Sequence, residues 1–222
     1  MKHPLFVTAD GSHSLFSAEH GVSYHSKHGA IQETRHVFID AALRFKAVAQ
    51  REITVLETGF GTGLNALMTM LEARRRGVRV HYVAYEAFPL KIQLVHQLNY
   101  PSELRLRKKY RRRFLELHQL SEGTEHKISK SFHFTKFHQD FGQIHDHNRY
   151  DIIYFDAFAP NAQPELWESP MLERMYRALR EDGMLVTYCA KGQVKRNLKA
   201  VGFHVETLPG PPGKREMTRA SK

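Results

Sequence analysis

The sequence predicts an α/β protein built on a doubly wound sheet and closed by a terminal antiparallel hairpin. Three observations predict it. Short β-branched or apolar runs alternate with segments of helical period along most of the chain. A glycine-rich turn, TGFGTGLN (58–65), stands between the first such run and the first strongly periodic helix. The last two runs, FHVETL and KREMTRA, flank the turn sequence PGPPG.

Taken in order, residues 1–32 are polar and aperiodic, and read as an N-terminal extension with a short hairpin; 33–222 form the main domain. Val37, Phe38, Ala41, Ala42, Phe45 and Val48 recur at helical spacing, so 33–49 is a helix with these residues inward. ITVLE (53–57) is a strand. Leu64, Leu67, Met68 and Leu71 mark one face of a helix that stops at Gly77. VRVHYVAYE (78–86) is the next strand, which completes a βαβ unit. Residues 88–118 read as helical and broken near Pro101, with a basic helical insertion at about 102–118 whose inward residues are Leu104, Phe114 and Leu115. FHFTKF (132–137) and YDIIYFD (150–156) are strands, the second buried. Helix 168–180, strand MLVTYCA (184–190), helix 191–201 and the hairpin complete the chain.

Composition bounds the function. Of 222 residues, 33 are Lys or Arg and 23 are Asp or Glu, a formal charge of +10. A 41% hydrophobic and 25% charged chain is an ordinary globular one. One cysteine excludes an internal disulfide and any cysteine-built zinc site. It also points to a reducing compartment, and the expected location is cytoplasmic. No apolar stretch is long enough to span a bilayer and the N-terminus lacks a secretory pattern, so no membrane association is expected. The charge suits either a polyanionic partner, nucleic acid first, or a basic protein without one.

The loop Glu57-Thr-Gly59-Phe-Gly61-Thr-Gly63 is the ligand-loop candidate. Glycines permit a sharp turn and close approach of backbone to ligand, and the following helix directs free N–H groups at the site. A dinucleotide loop would be spaced G-x-G-x-x-G; here Leu64 stands three residues beyond Gly61, which weakens that reading. Glu86, 23 residues after Gly63, ends a strand where a carboxylate can accept both hydroxyls of a ribose. A G-x-G-x-G loop with an acid two residues before it resembles the first motif of class I S-adenosylmethionine-dependent methyltransferases, a Rossmann-like fold. The resemblance implies S-adenosylmethionine as cofactor. In it Glu57, Gly59, Gly61, Gly63 and Asn65 meet the methionine end, Glu86 the ribose, and Asp140 the adenine.

Asp156-Ala-Phe158-Ala-Pro160 follows a strand of nearly continuous apolar residues, which puts Asp156 at the carboxyl end of a central strand. A methyl donor needs an acceptor lone pair in line with its sulfur. An amine acceptor is mostly ammonium at neutral pH, and a carboxylate can orient it and take its proton. Phe158 can stack on a base.

A narrower resemblance rests on YFDAFAPNAQPELWE (154–168), LPGPPGKREMTRA near the end, ETGFGTGLN, and YHSKHGAIQETRHVF (24–38). Together these are similar to the methyltransferase domain of the bacterial tRNA enzyme that completes 5-methylaminomethyl-2-thiouridine at the wobble position. The resemblance implies methyl transfer to the amine of 5-aminomethyl-(2-thio)uridine, with Asp156 catalytic. It also implies the anticodon stem-loop of tRNA as partner, with no obligatory protein partner. At this length the chain resembles a stand-alone form without the oxidase half. Activity on a small-molecule amine, including aminopropyl transfer, and RNA binding without catalysis are the alternatives.

The basic run Arg105, Arg107, Lys108, Lys109, Arg111, Arg112 and Arg113 is either a phosphate-binding surface or a solvated helix face. Tyr24 and Glu33 are candidates to close over the cofactor, and His25 and His28 to line the acceptor pocket. Trp167 is read as packing for its loop. No metal is expected: His25 with His28, and His145 with His147, lack a metal-binding frame.

Overall fold

The computed structural model describes residues 3–222. Its N-terminal segment forms a three-stranded antiparallel sheet, β1 (Leu5–Val7), β2 (His13–Ser17) and β3 (Val22–Ser23), one strand more than the expected hairpin. It is tied to the main body where Asn99 Oδ1 accepts from His13 N at 2.7 Å and Asn99 Nδ2 donates to Gly11 O at 2.8 Å.

Helix α1 (Ala30–Thr34) continues directly into a π-helical stretch (Arg35–Arg44). This corrects the inward face expected for residues 33–49. Val37, Phe38 and Ala42 are buried, but Ile39 and Leu43 join them, while Phe45 is 55% and Val48 77% exposed. The wider π turn breaks the 3.6-residue period, so the α-helical stripe drifts off the core.

The main sheet has eight strands in the order β10-β11-β9-β8-β4-β5-β7-β6. β4 (Glu52–Thr58), α2 (Leu64–Arg76) and β5 (Arg79–Tyr85) are the predicted βαβ unit, and Gly77 caps α2 in the left-handed region. The stretch 88–118 resolves into three short helices: α3 (Ile92–Val95), α4 (Tyr100–Glu103) and α5 (Lys108–Gln119). The helical run breaks on both sides of Pro101, as expected near that residue, and Pro101 itself lies in the first turn of α4, where its missing N–H costs nothing. On α5 the buried stripe is Tyr110, Phe114 and Leu117, while the expected Leu104 and Leu115 are only half-buried. Leu104 precedes α5 and cannot share its face.

β6 (His126–Ser129), which has no clear signal in the sequence, pairs antiparallel with β7 (Phe132–Phe137) at the sheet edge. β8 (Tyr150–Phe155) is buried throughout and pairs in parallel with β4. α6 (Ser169–Ala178), β9 (Leu179–Thr187) and α7 (Gly192–Ala200) follow. β9 begins earlier than expected, because Leu179 already pairs with Tyr150. β10 (His204–Pro209) and β11 (Glu216–Ser221) form the antiparallel hairpin.

The strand pleat divides the core in two. Val55, Tyr82, Phe134 and Tyr154 pack under the π-helix, α2 and α5. Leu56, Val83, Ile153 and Phe155 pack under α6 and α7. From β4 the chain winds outward to β5 and β7, and from β8 it winds the other way to β9. The point where winding reverses lies between β4 and β8, where open α/β sheets bind ligands beyond their carboxyl ends.

Candidate active site

Glu57 and Thr58 end β4, Asp156 follows β8 across that reversal, and Glu86 follows β5. A cleft of about 850 Å³, counting its open mouth, opens over these ends. Glu86, Asp140 and Asp156 reach it with Phe60, Phe88 and Phe158.

Gly59, Gly61 and Gly63 all have positive φ, at 95°, 47° and 73°. At Gly59 a Cβ would stand 2.9 Å from the backbone oxygen of Asp156. At Gly63 it would stand 2.6 Å from His118 Nε2. The loop therefore needs glycine for its turn and for its contact with the loop after β8. Gly61 N donates to Glu86 Oε2 at 2.8 Å, and Phe88 N donates to Oε1 at 2.9 Å. Both bonds favour the Glu86 carboxylate, but burial, the larger effect, raises its pKa.

Glu57 does not reach the cleft. It is fully buried beneath Asn65, whose Nδ2 donates to Glu57 Oε1 at 2.9 Å and to Asp156 Oδ2 at 2.8 Å. Thr34 Oγ1 donates to Asn65 Oδ1 at 2.8 Å, so both ends of the amide are engaged. Burial, then the nearby charge of Asp156, holds the Glu57 carboxyl well above the usual range. Asp156 is also pushed well up, first by burial and then by Glu33, against the opposing effects of Asn65 and Lys214. Asp140 caps a short 3₁₀ turn, its Oδ1 accepting from Gly142 N at 2.7 Å, and is exposed at the cleft mouth.

A second cleft adjoins the first, about 930 Å³ with its opening. Asp156 and Phe158 belong to both, as do Tyr24 and His25 from the N-terminal segment. The hairpin loop supplies Lys214, whose Nζ donates to Glu33 Oε1 at 2.6 Å and lies 3.8 Å from the centroid of the Tyr188 ring. Ser26 N donates to Glu33 Oε2 at 2.8 Å. Tyr188 Oη donates to Ala157 O at 2.8 Å. Tyr188 directly follows β9, beside the carboxyl end of β8, whereas only the return of the hairpin brings Lys214 here.

Tyr24 meets Phe158 edge-on at 5.1 Å between centroids, and His20 lies 4.8 Å from Phe158 on another side. Trp167 Nε1 donates to Phe158 O at 2.8 Å, so Trp167, itself buried, braces the loop that presents Phe158. His25 Nε2 and Thr62 Oγ1 are 2.7 Å apart, and burial pushes the His25 pKa down to about 4. His28 touches the hairpin loop at Gly213 rather than lining either cleft. Arg107, which precedes α5, and Lys108, Lys109, Arg111 and Arg112 on it lie outside both clefts and are exposed.

The cleft suits S-adenosylmethionine. Its volume falls in the range of small-molecule sites. Flat aromatic walls suit a purine, and the acids at the β5 and β7 ends suit a diol and an amino group.

Residues 102–222 match the family model described as S-adenosyl-L-methionine-dependent methyltransferase. The chain is 33% identical over 216 residues to the tRNA 5-methylaminomethyl-2-thiouridine biosynthesis bifunctional protein MnmC of Methylobacillus flagellatus, covering 91% of this chain and 33% of that protein. The protein of the same name from Leptospira interrogans is 33% identical over 207 residues, covering 87% of this chain and 31% of its own length. The chain thus spans about a third of the length of these relatives. Among solved structures, MnmC2 from Aquifex aeolicus superposes with a TM-score of 0.80 at 26% identity, covering 99% of this chain and 70% of that one. Spermidine synthase from Thermotoga maritima shares the fold, with a TM-score of 0.57 at 13% identity over 100% of this chain and 72% of that one.

Proposed function

The chain belongs to the S-adenosyl-L-methionine-dependent methyltransferase family, and from that premise we propose that it methylates the aminomethyl nitrogen of 5-aminomethyl-(2-thio)uridine at the tRNA wobble position. One observation carries the reading: Asp156 stands on the wall common to two adjoining clefts. One cleft would take the cofactor and the other the flipped base, with the Asp156 carboxyl between them. The names of the relatives, which put those proteins in 5-methylaminomethyl-2-thiouridine biosynthesis, support the choice of acceptor.

When bound, S-adenosylmethionine supplies a methyl group on a positively charged sulfur. Glu86 holds the ribose, Asp140 the adenine amino group, and the loop from Gly59 to Gly63 the methionine end. Glu57 acts from beneath: through Asn65 it keeps Asp156 in place. Asp156 accepts an N–H of the amine, aims its lone pair, and takes the proton that the nitrogen sheds. An upward-shifted carboxyl is a stronger base than an exposed one, which suits that task. Phe158, braced by Trp167, packs on the uracil ring with Tyr24 and His25 beside it.

The N-terminal extension lines both clefts through Tyr24 and His25, while the main domain supplies Asp156 and Phe158 to both and Lys214 to the acceptor side. Arg107, Lys108, Lys109, Arg111 and Arg112 grip phosphates of the anticodon stem. Action on tRNA implies a cytoplasmic location. The test is nucleoside mass analysis of tRNA lacking the final methyl, after incubation with protein and cofactor. A one-methyl mass gain at the wobble base is expected. No gain on tRNA, with methylation or aminopropylation of free amines instead, would overturn the reading.

A further inference from the structure

At the opposite end of β5 and β7 from the clefts, the sheet face beyond Val83 is polar, lined by Thr54, His81, Thr135 and Arg180. His81 and His133 are register partners on adjacent parallel strands, and both project from this face. Their rings lie 4.8 Å apart between centroids. Glu125, just before β6, bridges them: its Oε1 is 2.7 Å from His81 Nδ1 and its Oε2 is 3.0 Å from His133 Nδ1. The three ligand atoms lie within 4.8 Å of one another. The imidazoles are partly buried and the carboxylate is half-exposed, so an ion has access from solvent.

A second, independent feature points the same way. The other nitrogen of His81, Nε2, faces Glu52 Oε1 of β4 at 2.9 Å. Metal-ligating histidines typically give their second ring N–H to a carboxylate, which fixes the tautomer and strengthens the ligand. Glu52 is placed to do this for His81, leaving Nδ1 to the ion.

We propose that His81 Nδ1, His133 Nδ1 and the Glu125 carboxylate form a binding site for a divalent late first-row transition-metal ion, zinc being the best match. Two imidazoles and one carboxylate are a zinc-type donor set, and water completes a tetrahedron. Magnesium and calcium prefer all-oxygen sites and are excluded by the nitrogen donors. The ion needs the bare Nδ1 lone pair of each imidazole, so a proton held between either Nδ1 and Glu125 leaves when it binds. It links β5, β7 and the approach to β6, and so secures the edge of the sheet. The clefts lie beyond the other ends of these strands, which makes the role structural rather than catalytic.

The experiment uses untagged, chelator-treated protein titrated calorimetrically with zinc chloride at neutral pH. Saturable binding at one site is expected, with a rise in melting temperature at saturating zinc. Glu125→Gln, an isosteric change on an exposed residue, should weaken binding tenfold or more, and His81→Gln with His133→Gln should abolish it. Glu52→Gln should weaken it about 10- to 100-fold. S-adenosylmethionine binding in each variant should match the parent, which separates loss of the site from loss of the fold. Absence of saturable zinc binding in the parent, or equal zinc binding in the Glu125→Gln variant, would overturn the proposal.

Discussion

Asn65 donates a 2.8 Å hydrogen bond to Asp156, and the same amide group holds the buried Glu57 at 2.9 Å. One side chain at the start of α2 therefore couples the carboxyl ends of β4 and β8, the two strands that flank the reversal of the sheet. Its carbonyl is occupied by Thr34, so no group of the amide is left to turn.

Replacing Asn65 by Ala strands the buried Glu57 carboxyl and the buried Thr34 hydroxyl and releases Asp156. We expect a loss of about 3 kcal/mol in stability, measured by urea unfolding. Methyl transfer should fall further than this loss of folded protein explains, because Asp156 is no longer held.

Gly59→Ala places a methyl 2.9 Å from a backbone oxygen, at a φ of 95°. The obstacle is main chain and cannot rotate away. The variant should lose more than about 1 kcal/mol of stability. Its cofactor affinity, read by calorimetry, should fall with it.

Much of this site was legible in the sequence because strand ends and glycine loops obey local rules. Asp156 and Glu86 stand at strand ends as the apolar runs required, and the three glycines make the sharp turn expected of them, each at positive φ. What stayed hidden depends on distant partners. Lys214 meets Glu33 across 181 residues, and no local pattern announces that. His81 and His133 are neighbours only through strand register. The π-helical stretch defeated a period count that assumes 3.6 residues per turn, and Tyr110 was lost among the cations around it although it is buried against α2, taking a hydrogen bond from Arg74.

Acid should weaken the fold through its buried histidines. His25, ordinarily near 6.5, is held down at about 4. The unfolded chain then binds the extra proton between those values, so this contribution is complete above pH 6.5 and is lost as pH falls towards 4. It amounts to about 3 kcal/mol at full extent. Glu57 and Asp156, pushed upward, act with the opposite sign and favour the fold at lower pH. Comparing the parent with His25→Asn isolates the histidine: the variant should show a flatter fall in stability over pH 6.5 to 4.

Lys108, Lys109, Arg111 and Arg112 are exposed on α5 and distant from the cofactor cleft. Changing all four to Ala should weaken tRNA binding and reduce its salt dependence by about 0.9 in slope for each phosphate no longer neutralised. Cofactor binding should stay at the parent value. Unchanged tRNA affinity across salt would remove α5 from the RNA surface.

The central claim is that Asp156 serves the reacting amine at the junction of the two clefts. It is tested most directly by the single-turnover rate of methyl transfer to aminomethyl-uridine tRNA in Asp156→Ala, with S-adenosylmethionine affinity measured on the same sample. The account predicts near-parent cofactor affinity and a rate lower by about 100-fold or more. A rate close to the parent's, with cofactor bound, would contradict it.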